Sequence, residues 1–118
     1  MIIKVLQIII VVATILTGLI SLVNPRGVEG FTGLTAPGGR GVTEIRSILG
    51  GVFIGLGIAV LLLGTRETYQ MLGITYLAIG AVRFVSIFLD RSSEPSNWIS
   101  LAVEIIFGIL LLVPHEPR

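Results

Sequence analysis

Residues 69–113 read YQMLGITYLAIGAVRFVSIFLDRSSEPSNWISLAVEIIFGILLLV, two apolar runs joined by a short polar turn, and each run carries one interior charge, Arg83 and then Glu104. With the turn at residues 90–97 on one membrane surface, Arg83 lies seven residues below Asp90 and Glu104 six below Trp98. At helical rise that is about 10 and 9 Å, so the two charges fall at one depth. A lone charge near the bilayer centre costs about 2.5–3.5 kcal/mol on insertion scales, and such residues face the bundle interior and find partners. The expectation is a buried ion pair between Arg83 and Glu104 that fastens the third helix to the fourth.

The rest of the chain is of the same kind. Of 118 residues, 53% are hydrophobic and 13% charged, against roughly 25% charged in soluble domains. This is the composition of an integral membrane protein with room for a single domain, residues 1–118. Eight Lys/Arg against seven Asp/Glu leave a net charge of +1, with no run of like charge and no basic field for nucleic acid. There is no cysteine and one histidine, His115, beyond the last span. Thiolate sites and intramembrane bis-histidine haem ligation by one chain are therefore excluded, and no cofactor is expected. No metal-ligand spacing, nucleophile and base pair, or phosphate-binding fingerprint is present, so enzymatic activity is not expected.

Four helices are predicted, about 3–23, 43–64, 67–89 and 95–113, with a glycine-rich loop over 24–42. The fold class is an all-α membrane protein, an antiparallel four-helix transmembrane bundle. All five prolines fall outside the apolar spans, as uninterrupted helices require. The first helix is taken as a membrane anchor and not a cleaved signal, being long and without a small-residue cleavage site. The loop cannot span and reads as a mobile surface segment, with Phe31 and Leu34 as residues that dip into the interface. Thr43 is the expected N-cap of the second helix, Gly64 its stop, and residues 65–68 a surface turn. Tyr69 and Trp98 are interfacial anchors.

Small residues recur every fourth position in three places: Ala13, Thr17 and Ser21; Ser47, Gly51, Gly55 and Ala59; and Ser100, Glu104 and Gly108. Close van der Waals contact across such rows drives helix association in lipid. The second row is expected to pack inside the bundle, with a homodimer face as the alternative, while Gly50 and Gly57 leave a second notch for a neighbouring side chain or a lipid. Tyr76, Gly80 and Arg83 share one face of the third helix. Four spans put the long loop and the turn at 90–97 on one side of the membrane, so Arg46 and Glu44 are expected to join Arg83 and Glu104 in a buried charge cluster. That cluster is either structural or the polar end of a ligand site. Lys4, Arg66 and Arg118 on one side, and Arg26, Arg40, Arg46 and Arg91 on the other, set orientation weakly, in favour of both ends facing the cytoplasm.

The segment Glu44-Ile-Arg46-Ser-Ile-Leu-Gly50-Gly51, then Gly80-Ala-Val-Arg83, Asp90 and Glu104, resembles a family of small bacterial four-helix membrane proteins catalogued as a domain of unknown function and similar in architecture to the DoxX-like group. The resemblance implies four helices and one site containing Arg46, Arg83 and Glu104, but no activity. Two functions follow as expectations. One is a structural or accessory subunit in the cytoplasmic membrane, packed on other membrane subunits or on copies of itself. The other is a binding protein or small carrier for a lipid, quinone or other amphiphile, whose polar head the Arg46, Arg83 and Glu104 cluster would take.

Overall fold

In a bilayer every backbone N–H and C=O must find its partner within the protein, and a continuous helix achieves this along its whole length. The structure, a computed structural model that describes residues 1–114, contains four helices long and apolar enough to cross a membrane: α1 (Ile2–Val23), α2 (Gly39–Leu63), α3 (Arg66–Leu89) and α4 (Pro95–Leu112). No strand occurs among the described residues, and the chain is an all-α, multi-pass membrane protein. His115 and Arg118 lie outside the described residues.

The ends of the helices follow local chemistry. Helix α2 starts at Gly39, earlier than expected, so Thr43 sits inside it and is not its cap. Arg40 and Glu44, one turn apart, form an exposed ion pair in that first stretch, which offsets a small part of the poor helix propensity of Gly39 and Gly41. Residues Ile45–Val52 then wind as a π-helix, with i→i+5 hydrogen bonding. Gly64 closes α2 at φ +60°, the left-handed conformation in which glycine ends a helix without a Cβ clash. The Thr65 hydroxyl accepts the Thr68 N–H at 3.3 Å. It thereby caps α3, and most of the expected surface turn is the first turn of that helix.

The glycine-rich segment between α1 and α2 carries short helical turns that its composition did not suggest. It makes a 3-10 turn at Pro25–Val28 and a helical turn at Glu29–Thr32, which ends at Gly33 with φ +76°. Val28, Ala36 and Ile45 form a small buried cluster beneath Val42 and Leu49, and an Arg26 Nη1–H donates to the Ala36 carbonyl at 2.7 Å. The glycine count hid these apolar groups. Phe31 and Leu34 remain exposed.

Contacts gather into two compact units: one is Met1–Ile10 with the chain from Gly64 onward, the other Val11–Leu63. In the second, Val11, Thr14, Gly18 and Ser21 are the buried positions of α1, a stripe at helical spacing. The row Ala13, Thr17 and Ser21 is not the packed one, because Thr17 is exposed. The hydroxyls of Thr17 and Ser21 instead donate to the carbonyls of Ala13 and Thr17, at 2.9 and 3.1 Å. On α2 the notch is what packs. A Cβ on Gly18 would lie 2.7 Å from the Gly50 carbonyl oxygen, and one on Gly57 would lie 2.4 Å from Cγ1 of Ile15. Only glycine permits that approach. The expected packing row faces away: Ser47, Gly51 and Gly55 are exposed and Ala59 is half-buried. A Cβ on Gly51 or Gly55 would meet no described heavy atom within 4 Å.

In the first unit α3 and α4 run antiparallel, Gly73 beside Gly108 and Gly80 beside Glu104 and Ile105. A Cβ on Gly73 would stand 3.0 Å from the Gly108 carbonyl oxygen, so the backbones are nearly in contact. The start of α1 joins them through Gln7, which is 0% exposed. Its amide nitrogen donates to the carbonyls of Leu110 (2.8 Å) and Val113 (3.0 Å), satisfying acceptors that the end of α4 leaves without intrahelical partners.

Candidate functional site

The polar stripe of α3 meets α4 where Gly80 leaves room beside Glu104. From there Arg83 grips the carboxylate in two places, Nε–H to Oε1 at 2.8 Å and Nη2–H to Oε2 at 2.7 Å. This side-on fork is the strongest geometry available to an Arg–carboxylate pair. A third bond runs from Nη1–H to the Asn97 Oδ1 at 2.8 Å. Asn97 in turn donates from Nδ2 to the Ser92 carbonyl and hydroxyl, both at 3.0 Å, and the Ser92 hydroxyl donates to the Glu94 carboxylate. One chain of hydrogen bonds therefore runs from the membrane-embedded carboxylate to the surface turn. The hydroxyl of Ser92, and then the backbone N–H of Glu94 itself, hold that exposed carboxyl below its ordinary range.

The two partners are not equally hidden. The Glu104 side chain is 10% exposed, whereas that of Arg83 is 31% exposed. The open part of Arg83 faces a groove of about 490 Å³ lined by Ala78, Ile79, Val82, Ser86 and Asn97. The walls are apolar and the polar groups gather at one end, the general form of a site for an amphiphile. Phe88 and Trp98 pack edge to face at 6.2 Å at the same end of the helix pair, a placement suited to the membrane interface.

The other expected site residues divide between the two units. Tyr76 is buried in the same unit, edge-on to Phe107 at 5.4 Å, and its seven-residue offset from Arg83 amounts to about 10 Å along α3. Glu44 and Arg46 belong to the other unit, and the description of them as buried is corrected. Both are exposed, and Glu44 is held by Arg40 one turn earlier in its own helix. Near the start of α2 long side chains reach outward, which a count of residues from the loop does not reveal. Asn97 and Ser86 were missed, although Asn97 lies seven residues before Glu104 and Ser86 three after Arg83, spacings that put each on its neighbour's face. Gln7 interrupts the apolar run of α1, and linear spacing does not name the carbonyls it meets.

Among curated proteins and among solved structures, none matches the chain. A family model does match, over residues 2–115. The chain thus belongs to the family described as Domain of unknown function (DUF4345).

Proposed function

We propose that the protein binds a lipid-soluble amphiphile in the groove between α3 and α4, within the cytoplasmic membrane. The observation that carries this reading is the open share of Arg83. The Arg83 side chain, 31% exposed, lines a groove whose other walls include Ala78, Ile79 and Val82. Protein purified from membranes in mild detergent, extracted with organic solvent and analysed by mass spectrometry, is expected to carry a near-stoichiometric amphiphile. Val82→Phe, which fills the groove without touching the ion pair, is expected to lose most of it. Equal lipid content in both proteins would overturn the proposal.

The second reading, an accessory subunit in a larger membrane complex or a homo-oligomer, is supported by a different observation. Ser47, Gly51 and Gly55 form an open row on α2 with no described atom near the glycines, the kind of surface on which another helix packs. A stoichiometric protein partner in the same purification, lost on Gly55→Leu, would favour it.

A further inference from the structure

We infer that the head of the bound amphiphile is neutral and accepts hydrogen bonds, as a carbonyl does. This rests on the groove reading above and narrows it. A guanidinium has five N–H donors and no acceptor. Two of those of Arg83 go to Glu104 and one to Asn97, so two remain, one on Nη1 and one on Nη2. The groove therefore offers donors. It offers them without net charge, because the carboxylate of Glu104 already neutralises the guanidinium at 2.7 Å. A phosphate or fatty-acid carboxylate would bring an uncompensated negative charge into a low-dielectric site, which is strongly disfavoured. An ammonium head would need a counter-charge, and the carboxylate that would supply it is 10% exposed and already gripped by Arg83. A neutral acceptor such as a carbonyl needs donors and no counter-charge, and it fits the groove.

The backbone of Arg83 stands seven residues below the Asp90 end of α3, about 10 Å at helical rise, and its Nη1 reaches Asn97 in the first turn of α4 at 2.8 Å, so the head of the amphiphile would sit on the interfacial side of the groove. Its apolar part would lie on Ala78, Ile79 and Val82.

The test uses the full chain, delipidated in detergent, with three probes of equal tail length: a decyl-substituted benzoquinone, decanoate and decylamine. Binding is read as a rise in the melting midpoint with probe concentration. The benzoquinone is expected to raise the midpoint of the wild type and not that of Val82→Phe. Arg83→Lys, which keeps the charge but loses the fork, is expected to weaken the benzoquinone by about tenfold. A shift of the wild type by decanoate or decylamine that exceeds the shift by benzoquinone, and that Val82→Phe removes, would overturn the neutral-acceptor inference and leave the groove reading standing. Probes that shift wild type and Val82→Phe alike, or shift neither, would overturn both.

Discussion

At the scale of single residues, the pairing of Arg83 with Glu104 can be separated from mere burial. Removing one partner strands the other, and a broken buried pair costs about 3–5 kcal/mol. Glu104, 10% exposed, is the costlier partner to strand, while the open face of Arg83 places the cost of stranding Arg83 toward or below the low end of that range. Arg83→Leu is therefore expected to lower the yield of folded protein on size exclusion in detergent, and Glu104→Leu in the same chain to restore part of it. Two single variants equally damaged, with no recovery in the double, would count against direct pairing. Glu94 gives a second residue-scale outcome. Its carboxyl is held below the ordinary range by the Ser92 hydroxyl, so its contribution is present above the unfolded carboxyl pKa and is lost as pH falls through the lowered folded value. Ser92→Ala should flatten the acid side of a plot of melting midpoint against pH. An unchanged slope would show that the hydrogen bond is not felt.

At the scale of helices and turns, the end of α3 carries an unusual cap. The Ser92 N–H bonds to the Ile87 carbonyl at 2.9 Å while Arg91 sits at φ +52°. This is a Schellman closure with a non-glycine residue in the left-handed position. Such a residue costs about 1–2 kcal/mol relative to an unstrained one, so Arg91→Gly is expected to raise the melting midpoint and Arg91→Val to lower it. A midpoint that falls with glycine would mean that the Arg91 side chain contributes more than its backbone loses. The helix contacts make a contrasting pair. Gly57→Leu collides with Ile15 and should prevent folding, whereas Gly55→Leu meets no described atom and should leave the folded chain intact in detergent. Similar damage from both would show that the open row is buried in the working protein. Helix presence was legible in the sequence because unbroken apolar length is a strong signal. The packed face of α2 was not, because every-fourth spacing fits Ser47, Gly51 and Gly55 as well as a working interface. What chose Gly50 and Gly57 was the fit of Ile15 and Leu22 against them.

At the scale of the whole chain, four helices long and apolar enough to cross a membrane are expected to alternate direction across a bilayer. The protein contains no cysteine, so single cysteines report topology without background. Cysteines placed at Gly30 and Ser93 are expected to react with a membrane-impermeant maleimide from one side, and a cysteine at Glu67 from the other. Labelling of all three from one side would remove a span from the count. Charge counting leaves orientation open because cations flank both ends of the spans.

Composition and apolar run length by themselves determined the membrane class, the number of spans and the matched depth of Arg83 and Glu104, since in hydrocarbon only long apolar helices satisfy the backbone and deep charges seek each other. The three-dimensional arrangement alone decided which glycines touch, that Asn97 takes the third hydrogen bond of Arg83, that Gln7 closes the end of α4, and that Glu44 turns to Arg40. Those outcomes depend on side-chain reach and on contacts between segments distant in the chain. Linear spacing places a residue on a helix face, but it does not say which neighbour that face will meet.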